Sequence, residues 1–130
     1  VVSILKYDNA LSHKLYASGD IFLMPSLYEP CGLSQMIAMR YENIPVARAT
    51  GGLKNTIIDF HASPERATGF LFEEKTAEGL KATLEMALNV FKNKQIWYRL
   101  QRNAMSTDFS WKRSALQYLQ IYQELSQNLK

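Results

Sequence analysis

The chain has 130 residues with a hydrophobic share of 47% and a formal net charge of +3 at pH 7. This length and composition predict one globular unit with a hydrophobic core and exclude a disordered chain. The mild positive charge suits an anionic small molecule, and because no lysine or arginine run is interleaved with aromatic residues, a nucleic-acid ligand is not expected.

The sequence also argues against a membrane-spanning segment and a metal site in this chain. No apolar run approaches the ~18 residues of a membrane span, and His13 and His61 lack the spacing of metal ligands. Cys31 is the only cysteine, which excludes an intrachain disulfide and fits a reducing compartment. We therefore expect neither a membrane partner nor a metal site.

Short apolar runs alternate with helical patterns through the first part of the chain. Alternating strands and helices build parallel sheets, so we expect an α/β fold with a parallel sheet and helices on both faces. Gly19 is expected to end the first helix in a left-handed conformation. The predicted strands are residues 1–5, 21–24, 44–47 and 69–72, and the predicted helices between them are residues 10–17, 33–40 and about 53–59.

The remainder of the chain is predicted to be helical. Thr76 caps a helix that ends near residue 91, a second helix covers residues 95–105, and Ser110 caps the final helix. The apolar face of the first of these helices is formed by Leu80, Leu84, Ala87, Leu88 and Phe91, and that of the final helix by Trp111, Ala115, Tyr118, Leu119 and Tyr122.

Glu29 directly precedes a Pro-X-Gly turn between a predicted strand and a predicted helix. Ligands bind at the carboxyl ends of strands in open α/β sheets. A carboxylate beside the backbone N–H groups of Cys31, Gly32 and Leu33 can hold sugar hydroxyls, and the same donors favour a phosphate. The Ser34 hydroxyl can donate to a diphosphate oxygen. The alternative is a surface carboxylate and an ordinary first-turn serine at a helix start.

A second glycine turn, formed by Thr50, Gly51 and Gly52, opens the next predicted helix. Two glycines at a helix start can cradle an anion or a sugar, although the pattern does not complete a phosphate-binding loop. Arg48 either adds positive charge beside this turn or pairs with a surface acid. Tyr7 follows the first predicted strand, and the residues alone favour a partly buried loop tyrosine.

These segments resemble conserved elements of one enzyme family, the bacterial glycogen synthases and plant starch synthases. Residues 28–36 resemble the family's E-P-C-G-L-S/T-Q element, and residues 48–53 resemble its R-x-T-G-G-L element. Residues 108–111 resemble its D-F-S-W element, and Tyr7-Asp8 with Ser12-His13 resembles its tyrosine loop and following helix. The elements appear in family order and span nearly the whole chain.

The resemblance implies a two-domain glycosyltransferase of the GT-B fold with a cleft between two Rossmann-like domains. Residues 1–130 correspond to part of the C-terminal nucleotide-sugar-binding domain, including its C-terminal helices. The chain opens without Met inside a predicted strand, so we expect a piece of a longer enzyme that is inactive alone. The partners outside it are the N-terminal domain, which the terminal helix braces, and an upstream Lys/Arg pair that binds the donor diphosphate.

The resemblance further implies transfer of glucose from ADP-glucose to the non-reducing 4-hydroxyl of an α-1,4-glucan, with retention. Glu29 is the catalytic residue, which holds hydroxyls of the donor glucose and stabilises an oxocarbenium-like transition state. Ser34 faces the diphosphate and Tyr7 stacks on adenine. No cofactor is implied, and the location is the bacterial cytoplasm or, alternatively, the plastid stroma. The substrate-binding residues are Tyr7, Cys31, Gly32, Leu33, Ser34, Thr50, Gly51 and Gly52.

Two departures and two alternatives accompany this interpretation. Ile37 stands where retaining relatives with an E-x7-E pattern have a second glutamate, which favours the glycogen synthase branch. Glu42 and Asn43 stand where the family has a glycine and a small residue, and either of them takes up the turn. The alternatives are a UDP-glucose-dependent retaining glycosyltransferase and a non-catalytic glucan-binding or regulatory module.

Overall fold

A computed structural model describes residues 2–128 of the chain. Its three strands form one parallel sheet in the order β1-β2-β3, as the alternating pattern predicts. Ile21 of β1 pairs with Ile44 of β2, and Val46 of β2 pairs with Phe70 of β3. The elements are α1 (Asn9–Ser18), β1 (Ile21–Met24), α2 (Ser34–Arg40), β2 (Ile44–Arg48), α3 (Gly51–Thr56), β3 (Phe70–Phe72), α4 (Ala77–Lys92), α5 (Lys94–Ser106) and α6 (Trp111–Asn128).

The central strand β2 forms the middle of the hydrophobic core. All of its residues are buried, and because successive side chains of a strand point to opposite faces, both faces of β2 are covered. Helices α2, α3, α4 and α5 contact this strand. The largest buried side chain belongs to Trp97 of α5, whose ring meets Phe91 edge to face at 5.0 Å. The predicted α/β fold is therefore confirmed.

The predicted first strand is wrong. Residues 2–5 lie outside any strand, and Val2 and Leu5 are 87% and 97% exposed; Val1 lies outside the described residues. An apolar, β-branched run becomes a strand only when a neighbouring strand supplies ladder hydrogen bonds and a packing surface. Nothing in residues 2–128 provides these to residues 2–5.

The predicted left-handed Gly19 is also wrong, because its backbone is extended (φ −93°). The chain passes from α1 directly into β1, and an extended residue makes that connection. Glycine is needed here for space, since a Cβ atom would lie 2.6 Å from Nδ2 of Asn43. Asn43 uses this atom to donate to the carbonyl of Tyr16 at 3.3 Å, which ties α1 to the start of β2.

The later helices lie close to their predicted positions, but several of their residues that were predicted to be buried are exposed. Helix α3 begins at Gly51 and ends at Thr56, two or three residues earlier than expected, because Ile57 is extended (φ −104°). Leu88, expected on the core face of α4, is 45% exposed. The predicted apolar face of α6 is exposed as well: Trp111 is 88% and Tyr122 is 66% exposed. A helical hydrophobic pattern predicts a face that can be buried, and burial requires a partner.

Membrane-spanning helices and metal-binding clusters are both absent from residues 2–128. Within residues 2–128, no helix combines the length and apolar character needed to cross a membrane. In the same part of the chain, no group of three or more His, Cys, Asp or Glu residues is arranged to hold a metal ion.

Candidate functional site

Two turns meet at the carboxyl edge of the sheet. We call residues 25–33, between β1 and α2, the Glu29 loop, and residues 49–52, at the start of α3, the Thr50 turn. They are neighbours because β1 and β2 are adjacent and parallel, with Met24 opposite Ala47. Gly52 N donates to the carbonyls of Glu29 (3.2 Å) and Pro30 (3.1 Å), which joins the two turns through their backbones.

Glycine is required where these turns touch. A Cβ atom on Gly52 would lie 1.7 Å from the carbonyl oxygen of Cys31, and one on Gly51 would lie 2.0 Å from that of Glu29. Gly51 also has a positive φ of 46°. The sequence suggested that these glycines cradle a ligand; in the structure they let two loops approach each other, and the Gly52 N–H is occupied by protein carbonyls.

Gln35 supports the Glu29 loop from beneath and was not assigned a role from the sequence. Its side chain is fully buried, and Nε2 donates to the Gly32 carbonyl (2.8 Å) and to Oγ1 of Thr56 (3.0 Å). Thr56 Oγ1 in turn donates to the Gly52 carbonyl at 2.7 Å. The sequence did contain one indication of this role. Gln35 is a polar residue among apolar neighbours on a helix that is expected to be buried on most sides, and buried polar groups are normally hydrogen-bonded.

Arg48 supports the same loop from the end of β2. It is 7% exposed, its Nε donates to the Ser26 carbonyl at 2.7 Å, and its Nη2 donates to the Leu27 carbonyl. The predicted ion pair of Arg48 with a surface acid is wrong, because the guanidinium bonds to backbone carbonyls and forms no ion pair within residues 2–128. Sequence alone did not indicate these partners, which lie 21 and 22 residues away.

The loop is thus held through its carbonyls, and its N–H groups are left for other partners. The N–H groups of Cys31, Gly32 and Leu33 donate to no acceptor in the described part of the chain. Gly32 adopts a positive φ of 73°, and Glu29 is half-buried. A carboxylate acceptor and several N–H donors on one rigid loop can hold the hydroxyls of a sugar. Since α2 has only seven residues, these individual N–H groups matter more than its dipole.

Ser34 and Tyr7 are placed differently with respect to this loop. Ser34 is half-buried at the start of α2, adjacent to the loop. Tyr7 is 91% exposed and lines a shallow cavity on α1 that contains no residue of the Glu29 loop. The neighbouring Asp8 caps α1 by accepting from Leu11 N at 3.0 Å. That backbone hydrogen bond, together with Lys6 at 3.1 Å, lowers the pKa of the Asp8 carboxyl below its usual value.

A separate cavity of about 600 Å³ lies between α2 and the segment that connects α5 to α6. Its walls include Arg40, Tyr41, Met105 and Phe109, and Leu33 is the one residue that it shares with the Glu29 loop. The cavity contains neither Glu29 nor any residue of the Thr50 turn. Among the predicted site residues, those of the Glu29 loop, Ser34 and the Thr50 turn lie close together in the structure, and Tyr7 lies apart from them.

Comparison with known proteins identifies the family. The family model for glycosyl transferases group 1 matches residues 2–102. The chain is 48% identical over 121 residues to a glycogen synthase from Koribacter versatilis, covering 93% of this chain and 25% of that protein. It is 47% identical over 127 residues to one from Hydrogenobaculum sp., covering 94% and 26%. The chain thus spans about a quarter of the length of the curated relatives it matches.

Two solved structures resemble the fold. One is the catalytic domain of starch synthase IV from Arabidopsis thaliana bound to ADP and acarbose, with a TM-score of 0.84 and 47% identity over 93% of this chain and 25% of that one. The other is a sucrose-phosphate synthase from Thermosynechococcus elongatus, with a TM-score of 0.65 and 27% identity over 96% and 30% of the two chains. The sequence elements, the fold and these similarities agree, and the chain belongs to the group 1 glycosyltransferases, in the glycogen and starch synthase family.

Proposed function

We propose that this chain is part of a retaining glucosyltransferase that moves glucose from ADP-glucose to the non-reducing 4-hydroxyl of an α-1,4-glucan. The Glu29 loop carries the proposal: its carbonyls are held by Arg48, Gly52 and Gln35, and its N–H groups have no acceptor in residues 2–128. The 47% identity to a starch synthase solved with ADP supports an adenine nucleotide as part of the donor.

The proposed roles follow the geometry of the loop. Glu29 accepts hydrogen bonds from hydroxyls of the donor glucose, and its charge favours a transition state with positive character at the sugar ring. The N–H groups of Cys31 and Gly32 donate to the same glucose, while Leu33 N–H and the Ser34 hydroxyl face the diphosphate. Thr50 and Gly51 line the adjoining wall, where Gly52 holds the loop in place. The role of Tyr7, stacking on adenine, rests on the resemblance to the family, because Tyr7 lies apart from the loop. We assign no metal and no cofactor to this reaction.

The remaining parts of the site are proposed to lie in a longer protein. We place residues 1–130 in its C-terminal domain, where the site forms one wall of a cleft and is inactive alone. The exposed apolar face of α6 supports a second domain as its partner, since such a face gains from being covered. The bacterial relatives support a bacterial cytoplasmic location, and the plant relative keeps the plastid stroma as the alternative.

The test is glucosyl transfer to glycogen by the full-length protein that contains this chain, with ADP-glucose and UDP-glucose compared. We expect transfer from ADP-glucose, and a loss of about 100-fold or more in kcat for Glu29→Ala, because an electrostatic contact of the transition state is removed. The matched control is Glu85→Ala, which removes an exposed carboxylate of α4 whose ion-pair partner among the described residues is Lys81 at 3.9 Å.

Other outcomes would change the assignment in defined ways. Transfer from UDP-glucose alone would move the protein to the UDP-glucose-dependent alternative. A folded full-length protein that binds glycogen but transfers from neither donor would be a glucan-binding or regulatory module. If Glu29→Ala and Glu85→Ala were equally active, the role of Glu29 would be refuted while the family assignment remained.

A further inference from the structure

We propose that Arg48 is a positioning residue for Glu29, which it holds in place by clamping the first half of the Glu29 loop. The inference rests on the proposed glucosyl transfer. Arg48 has no assigned role in that reaction, and the proposal does not require Arg48 to touch the substrate.

The position of Arg48 is fixed by the sheet. It is the last residue of β2, paired in register with Phe72 of β3, and the next residue, Ala49, donates its N–H to the Phe72 carbonyl at 2.8 Å. The side chain is buried, so it has little freedom to leave its partners. A guanidinium anchored in this way can transmit the rigidity of a central strand to a loop that has no regular structure of its own.

The contacts of Arg48 fall on a part of the loop that the other supports do not reach. Gly52 N holds the carbonyls of Glu29 and Pro30, and Gln35 holds the loop at Gly32. The carbonyls of Ser26 and Leu27, which precede Glu29, accept from Arg48. Among the described residues, the segment that leads from β1 to Glu29 therefore has Arg48 as its side-chain support.

The chemistry of arginine suits this task better than that of lysine. The planar guanidinium presents several donors in a fixed fork and can hold two successive carbonyls at once, whereas an ammonium group is a compact charge on a flexible stem. Burying a charged group is costly unless it is hydrogen-bonded, and Arg48 has these carbonyls rather than a carboxylate as partners. Since a displacement of about 1 Å can reduce a rate about 100-fold, loss of the fork should be visible in catalysis.

The experiment uses the full-length protein and compares Arg48→Lys, Arg48→Ala and Arg40→Lys. Arg40 provides a matched control because its Nη1 also donates to a backbone carbonyl, that of Met105 at 3.1 Å, but it is exposed and lies at the far end of α2. We expect Arg48→Lys to lower kcat at least tenfold while the protein stays folded and the KM for glycogen stays near the wild-type value. Arg40→Lys should match wild type, and added guanidinium ion at non-denaturing concentration should partly restore Arg48→Ala.

Wild-type kcat in folded Arg48→Lys and Arg48→Ala, with only the melting temperature lowered, would overturn the proposal in favour of a purely structural role. A wild type that transfers glucose from no nucleotide sugar would refute the proposed function instead. In that case, amide hydrogen exchange of residues 26–32 still tests the clamp, which is the hold of Arg48 on the first half of the Glu29 loop. Exchange at least tenfold faster in Arg48→Lys than in Arg40→Lys would support the clamp, and equal exchange would overturn it.

Discussion

At the level of single residues, the turn between α2 and β2 is made by a residue poorly suited to it. Glu42 has a φ of +63°, the left-handed conformation that side chains other than glycine disfavour. Asn43, the other residue considered for this turn, is buried and donates to Tyr16 instead. The sequence indicated that one of the two would take the turn, but only the structure shows that Glu42 does so.

This strain leads to a prediction for Glu42→Gly. The substitution should raise the free energy of unfolding by about 1 kcal/mol, because relief of the left-handed strain exceeds the extra entropy of an unfolded glycine. The backbone contact from Gln101 Nε2 to the Glu42 carbonyl, at 3.2 Å, is unaffected by the change. The measurement is the chemical denaturation midpoint, with Glu42→Ala as the control that keeps the strain. Equal midpoints for the two variants would contradict the prediction.

At the level of elements, the site depends on the backbone contacts between two loops. Helices α2 and α3 were predicted from local patterns, as was the strand that precedes each of them. The contact of Gly52 with the Cys31 carbonyl could not be predicted, because it joins residues from different turns and depends on the register between β1 and β2. The same glycine pattern is compatible with a ligand cradle and with a close packing contact.

Gly52→Ala tests this contact. The added methyl group would overlap the Cys31 carbonyl, so the two loops must separate and the hydrogen bonds from Gly52 N must weaken. We expect a loss of about 2 kcal/mol in the free energy of unfolding. The control is Gly79→Ala in the first turn of α4, where a Cβ atom would have its nearest neighbour at 3.3 Å. Gly79→Ala should be neutral or slightly stabilising, and a similar result for Gly52→Ala would contradict the close approach.

At the level of the whole molecule, the sheet edge at β1 and one face of α6 are uncovered in the described part of the chain. Strand β1 pairs with β2 on one side only. Helix α6 exposes an apolar face that includes Trp111, Tyr118, Leu119 and Tyr122. An amphipathic helix normally has its apolar face covered, and an unpaired strand edge can pair with another chain unless it is protected. Because residues 2–5 form no strand beside it, β1 is an edge of the sheet.

We therefore predict that the isolated 130-residue chain self-associates at micromolar concentration, which light scattering after size-exclusion chromatography would measure. The double variant Leu119→Glu/Tyr122→Glu should shift the chain towards monomer, because it replaces exposed apolar surface with charge. The control, Gln117→Glu/Gln123→Glu, adds the same charge to α6 and leaves its apolar residues in place. A monomeric wild type, or an equal shift in both variants, would contradict this explanation.

Local sequence determined the order and type of most elements, the parallel sheet and the position of Glu29 at a strand end. These features follow from hydrophobic periodicity and turn residues within a few positions of each other. Tertiary structure alone decided the partners of Arg48 and Gln35, the contact at Gly52, the absence of a strand at residues 2–5 and the exposure of α6. Each of these depends on a partner distant in sequence or on its absence from the described residues, and local periodicity contains no information about such partners.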